Sequence, residues 1–272
     1  MNKRRIALAI ITLALLFTAT AAFSFRSRYE QTRRQLTADA ASVRVVAQFF
    51  SLDTVPLPKV LSPYWLVRSA ESFRDAPIHI VLYGDPLCSD CLVLFDQMKL
   101  LEREFDGQLN VVYQFFPLEA RCNDVVAKDK HPGACDLSYM MAARPDRFRG
   151  LHDEILENMD SAKTSGWRAR FARRHGLESA LEDTALHMRV RTLIRSGREY
   201  APTSSKYEHG IRSTPTLIVN GRMIIGTLPL NQLRAIFQGL LHARRMEERG
   251  FIESWINPGC SIESEATQCG VP

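Results

Sequence analysis

Tyr83-Gly84-Asp85-Pro86-Leu87-Cys88-Ser89-Asp90-Cys91 decides the reading of this chain. It continues an apolar run, Ile78-His79-Ile80-Val81-Leu82, and opens a stretch in which Leu94, Met98, Leu101 and Phe105 recur at helical spacing. The expectation is a buried strand feeding an amphipathic helix. The two thiols then fall at the helix start. There the free backbone N–H groups and the helix dipole favour a thiolate at Cys88. Cys91, one turn inside, is close enough to close the ring and resolve a mixed disulfide. A redox dithiol is the main reading; a structural disulfide and half of a metal site are the alternatives. No second close cysteine pair or suitably spaced histidine completes a four-ligand site.

Downstream, Leu109–Phe116 is rich in Val, Tyr and Phe and reads as a second strand. Strand, helix, strand with this crossover length implies a parallel pair. Residues 119–210 read as mostly helical. About 125 residues beyond the dithiol comes Ser213-Thr214-Pro215-Thr216-Leu217-Ile218-Val219-Asn220-Gly221, a Thr-Pro step opening a short strand and a two-residue hairpin signal. A cis bond at Thr214-Pro215 would leave the backbone of Ser213 and Thr214 free to pair with an extended client segment. Leu230–Arg249 is amphipathic and closes the pattern. The order is strand–helix–strand, helical insert, hairpin, helix, an α/β thioredoxin order with about ninety residues inserted.

At the N-terminus, Met-Asn-Lys-Arg-Arg precedes an apolar run from Ile6 to Phe25, the pattern of an export signal. Two outcomes are open: cleavage after Ala19-Thr20-Ala21, or retention as a membrane anchor, the reading taken here. The chain therefore divides into a leader (1–25), a stalk or lead-in (26–76), a thioredoxin-like domain (77–249) and a tail (250–272). The net charge is +5, and Lys3, Arg4 and Arg5 supply three of those charges. The remainder is too small and too scattered for nucleic-acid binding.

All six cysteines follow the leader, which suits pairing in an oxidising compartment. Proximity favours Cys88–Cys91, Cys122–Cys135 and Cys260–Cys269. Cys122 and Cys135 are read as a structural staple, with an electron-shuttle pair as the alternative; Cys260 and Cys269 are read as tying the tail. Between the active thiols, Ser89 can hydrogen-bond to sulfur, and Asp90 places a carboxylate near Cys88. If Asp90 raised the Cys88 pKa by about one unit (~1.4 kcal/mol), the couple would move roughly 30 mV towards reducing. The histidines, His131 included, show no paired ligand spacing.

The dithiol segment together with the Thr214-Pro215 segment resembles the DsbA-like branch of the thioredoxin superfamily, over residues 77–245. The resemblance implies a thioredoxin fold with a helical insert, exported thiol–disulfide exchange with cysteine-containing proteins, and a cis Pro215. It implies Cys88 and Cys91 as catalytic, Thr214 and Pro215 as client-binding, and no cofactor or metal beyond the redox-active disulfide. Phe116-Pro117-Leu118, Cys122-Asn123 and His131-Pro132-Gly133-Ala134-Cys135 are similar to thioredoxin-like domains that accompany vitamin K epoxide reductase homologues. That similarity implies a quinone-linked membrane partner and a periplasmic or extracytoplasmic location. One residue departs from the pattern: many relatives carry a buried acid six residues before the first cysteine, where this chain has Leu82. Asp85 and Asp90 are the candidates to replace it. Oxidase, reductase and isomerase directions stay open. The reading from another class is an anchored, non-enzymatic protein binding copper or partners through the same cysteines.

Overall fold

The computed structural model describes residues 20, 23–24, 26–31, 33, 40–201 and 210–256, with side chains to residue 248. Residues 1–48 form one unit, and those described are helical. The apolar run of residues 6–25 lies almost wholly outside the described residues, as do Cys260 and Cys269. No helix among the described residues is long and apolar enough to cross a membrane.

The second unit begins at Phe49. Its centre is a five-stranded sheet of β1 (Trp65–Arg68), β2 (Ile78–Gly84), β3 (Leu109–Phe115), β4 (Thr216–Val219) and β5 (Arg222–Ile225), in the order β1-β3-β2-β4-β5. β2 and β3 run parallel, and β1, β4 and β5 are each antiparallel to their neighbours. Every residue of β3 and all but one of β2 are buried. A strand covered on both faces needs a near-continuous apolar sequence, and both strands have one. The crossover between them is α1 (Ser89–Glu104), which buries Cys91, Leu94, Phe95, Met98 and Leu101.

The hairpin β4–β5 turns on Asn220 and Gly221, both at positive φ. Asn tolerates that conformation and Gly adopts it freely. The Asn220 side chain also fixes the register. It accepts from the His79 N–H and donates to the Pro77 carbonyl, both at 2.9 Å.

The insert begins later as helix than expected. Residues 119–133 form an irregular, disulfide-closed loop, and the first insert helix is α2 (Ala134–Ala142). Asn123, Asp124 and Asp129 favour turns over helix, and Pro132-Gly133 ends the loop. Then come α3 (Phe148–Glu157), α4 (Met159–Ala162), α5 (Ser165–His175) and α6 (Thr184–Arg195). Side-chain caps mark the starts of two of them: Thr164 accepts from Trp167 N–H and Asp183 from Leu186 N–H. Gly176, at φ 65°, ends α5. The closing helix is α7 (Leu230–Ile256).

The lead-in is more integrated than a stalk. β1 pairs with β3, and Phe49, Val55, Tyr64 and Leu66 are buried. Two polar residues of the otherwise apolar β3 hold it there. Asn110 accepts from the Ser69 and Ala70 N–H groups and donates to the Ser72 and Phe73 carbonyls. Gln114 accepts from Ser62 N–H and donates to the Val60 carbonyl and the Ser196 hydroxyl.

Candidate active site

The end of β2 and the start of α1 build the site. Pro86 and Leu87 turn the chain over Asp85. Its Oδ1 accepts from the Leu87 N–H at 2.6 Å, and its carbonyl accepts from Cys88 N–H at 3.2 Å. Cys88 is the N-cap of α1, with extended φ and ψ of −86° and 121°, and Cys91 sits in its first turn. Both cysteines are buried, and neither is in a disulfide.

From the other side comes the loop before β4. The Thr214–Pro215 bond is cis. The Cys88 thiol donates to the Thr214 carbonyl at 3.4 Å, joining residues 126 apart in sequence. Pro215, at the start of β4, has its carbonyl taken by Gly226 N–H at 2.8 Å.

The two thiols are held oppositely. The Cys88 pKa falls to about 6, chiefly through the hydrogen bond from Cys91, against the opposing effect of burial. Thr214 adds to the lowering, although its buried hydroxyl has no hydrogen-bond partner and its contact with the thiol is through the carbonyl. Cys91 is pushed well above the ordinary thiol value by burial first, then by its bond to Cys88 and the charge there. Cys88 is therefore the thiol that ionises readily and Cys91 the one that keeps its proton.

Of the residues expected to tune the pair, Ser89 and Asp90 are exposed on the first turn of α1. The carboxylate whose charge raises both thiols is Asp85, which is 1 % exposed. A buried carboxylate thus lies three residues after Leu82, just past the end of β2. Leu82 itself is buried.

Two further groups lie near the site. His131 lies 46 residues from Asp85, and its Nδ1 is 2.9 Å from Asp85 Oδ2. That contact, with the charge of Cys88 adding to it, raises the His131 pKa, and burial and Lys130 oppose the rise. Tyr113, on β3, is fully buried and feels the charges of Cys91, Asp85 and Cys88. The His-Pro-Gly segment between Cys122 and Cys135 was the available clue to His131, because that loop returns to the strand end it leaves. Cys122 and Cys135 form a disulfide. Among the described residues, no cluster of three or more His, Cys, Asp or Glu side chains is gathered as for a metal ion.

A sequence model described as Thioredoxin matches residues 73–238. No curated protein matches the chain. Among solved structures, a variant of alpha-DsbA1 from Wolbachia pipientis aligns with a TM-score of 0.51 at 14 % identity, over 71 % of this chain and 96 % of that one. The thiol-disulfide exchange protein alpha-DsbA2 of the same organism aligns with a TM-score of 0.46 at 16 % identity, over 76 % and 98 %. Oxidised BdbD from Bacillus subtilis gives 0.48 at 17 %, over 70 % and 96 %.

Proposed function

The chain belongs to the thioredoxin family, and from that membership we propose that it is a thiol–disulfide oxidoreductase acting on cysteine-containing proteins through Cys88 and Cys91. The observation that carries the reading is the juxtaposition of a helix-capping Cys88, its thiol lowered to about 6, with the Thr214 carbonyl at 3.4 Å. A client disulfide is attacked by the Cys88 thiolate, and Cys91 resolves the mixed disulfide; the reverse sequence oxidises a client dithiol. Thr214 and Pro215 hold the client strand beside the reacting sulfur. The dithiol itself is the only redox group the reaction needs.

A depressed Cys88 pKa stabilises the reduced dithiol and so favours oxidation of clients. The Asp90 expectation pointed towards reduction; the exposed position of Asp90 weakens it, and the oxidase direction is our reading. Export, with residues 6–25 as signal or anchor, fits a structural Cys122–Cys135 disulfide, which persists in oxidising compartments. A membrane partner, quinone-linked, would then reoxidise the pair.

The decisive experiment measures peptide-dithiol oxidation and insulin reduction beside metal content. Native protein exchanges disulfides, Cys88→Ser abolishes exchange, and Cys91→Ser accumulates mixed disulfides. One equivalent of bound metal without exchange overturns the reading in favour of a copper-binding protein. A Cys88 that resists alkylation in the folded, reduced protein overturns it as well.

A further inference from the structure

Asp85 is a buried carboxylate with three hydrogen-bond partners. Oδ1 takes the Leu87 N–H at 2.6 Å; Oδ2 takes the Leu118 N–H at 2.5 Å and faces His131 Nδ1 at 2.9 Å. Two of these are backbone amides, which orient charge but do not titrate. The imidazole is the one partner that can take or release a proton. It is also the one that reaches water: the His131 side chain is 24 % exposed and that of Asp85 0 %.

His131 is seated by its backbone on both sides. Lys130 N–H and His131 N–H both donate to the Leu118 carbonyl, at 2.9 and 3.2 Å, and Ala134 N–H donates to the His131 carbonyl at 3.1 Å. The Cys122–Cys135 bond closes the loop. Inside it, Glu119 Oε2 accepts from the Gly133 and Cys135 N–H groups at 3.0 and 2.7 Å. A surface-loop histidine does not require such framing.

We propose that His131 is a positioning residue for the dithiol: seated on Asp85 by the disulfide-closed loop, it sets the charge that Asp85 presents to Cys88 and Cys91, and it passes the Cys91 proton between that carboxylate and solvent. The proposal deepens the thiol–disulfide reading and rests on it. His131 contacts Asp85 and also feels the charges of Cys88 and Lys130. Cys88 contacts the Thr214 carbonyl, and the charge of Asp85 acts on both thiols and on the buried Tyr113.

In the resolving step the Cys91 sulfur attacks the Cys88 sulfur of the mixed disulfide. The Cys88–Cys91 bond forms, the Cys88–client bond breaks, and its electron pair leaves on the client sulfur, which takes a proton from water. The client is reduced by two electrons and the dithiol is oxidised by two. The Cys91 proton moves to Asp85 as the His131 imidazolium releases one to solvent from its exposed side. The Asp85–His131 pair stays neutral throughout, so no net charge is created in a buried site.

The test uses the full chain with His131→Gln and with His131→Lys, which restores positive charge without an imidazole. Two quantities are read: the Cys88 thiolate absorbance against pH, and the single-turnover release of client from the mixed disulfide between about pH 5 and 8. For His131→Gln we expect the thiolate fraction near pH 6 to fall about threefold. Release should slow about tenfold and lose its dependence on the His131 titration. His131→Lys should recover the titration and not the release rate. A merely structural role would move neither pH profile. If His131→Gln does not fold, as judged by circular dichroism, His131→Asn replaces it in the same comparison. Native titration and native release in the Gln variant overturn the proposal. If the native protein exchanges no disulfides at all, the functional reading fails, and the absorbance titration still decides whether His131 controls the charge at Cys88.

Discussion

Cys88 and Cys91 belong to one helical turn, yet their surroundings pull their protons in opposite directions. The helix start, the Cys91 thiol and Thr214 all favour charge at Cys88; burial and an adjacent thiolate disfavour it at Cys91. In the reduced protein, alkylation of Cys88 should therefore rise with pH to a half-point near 6, with Cys91 unmodified in the same range. Mass mapping of iodoacetamide adducts across pH reads both. Asp85 acts against ionisation of both thiols, so Asp85→Asn should lower both pKa values. The same change turns one acceptor into a donor facing either the Leu87 or the Leu118 N–H group. Leaving a buried amide unpaired costs about 1–3 kcal/mol, which a urea midpoint would register. The cysteines and the Thr-Pro step were legible because each is a local pattern. The Asp85–His131 contact was not, because it joins residues 46 apart through a loop with no periodicity. Asp90, adjacent in sequence to the thiols, lies exposed on the first turn of α1.

At the scale of elements, the residue 118–135 loop and the end of β2 are the parts whose geometry the site depends on. The Cys122–Cys135 bond closes a 13-residue separation. Replacing both cysteines by Ala should lower stability by about 3 kcal/mol in the chain-entropy model. It should also shift the Cys88 titration in the same direction as His131→Gln, since the loop would no longer fix the imidazole. Thermal denaturation and thiolate absorbance of the one double variant check both parts. β2 ends on Gly84, where an added Cβ would lie 2.5 Å from the Tyr113 ring. Tyr113 is fully buried and packs on Phe115, Phe148 and His152, so it has little room to give. Gly84→Ala should cost about 1–3 kcal/mol by overpacking and disturb the dithiol next to it. The strands were readable from their apolar runs; the irregular start of the insert, inside a stretch read as mostly helical, was not. The close approach of Gly84 to Tyr113 was not, because it arises from pairing β2 with β3 and from the ring packing above them.

Across the whole second unit, the polar side chains in β3 link the sheet to chain that precedes it. Asn110 makes four hydrogen bonds to the backbone of residues 69–73, and Gln114 reaches residues 60 and 62 and the Ser196 hydroxyl. A polar residue in a fully buried strand stays only when its groups are satisfied, and here the partners are the lead-in itself. Tyr64 extends the connection: its hydroxyl donates to the Ala142 carbonyl at the end of α2, and its ring meets Phe115 and Phe148. Insert, sheet and lead-in thus share one aromatic core. A domain boundary at residue 77 cuts through that core. Two truncations separate the alternatives. Chain beginning at Phe49 keeps β1, Tyr64 and every Asn110 partner, and should unfold cooperatively with a native-like denaturant midpoint. Chain beginning at Pro77 strips the edge of β3 and leaves the buried amides of Asn110 and Gln114 without most of their partners. At about 1.5–3 kcal/mol for each buried apolar side chain, the burial lost from Tyr64, Leu66 and Val67, with the hydrogen bonds of Asn110 and Gln114 given up beside it, is comparable to the whole stability of a typical domain. The shorter chain should therefore be unfolded or molten by near-UV circular dichroism, and a cooperative, native-like transition in it would show that the lead-in is dispensable.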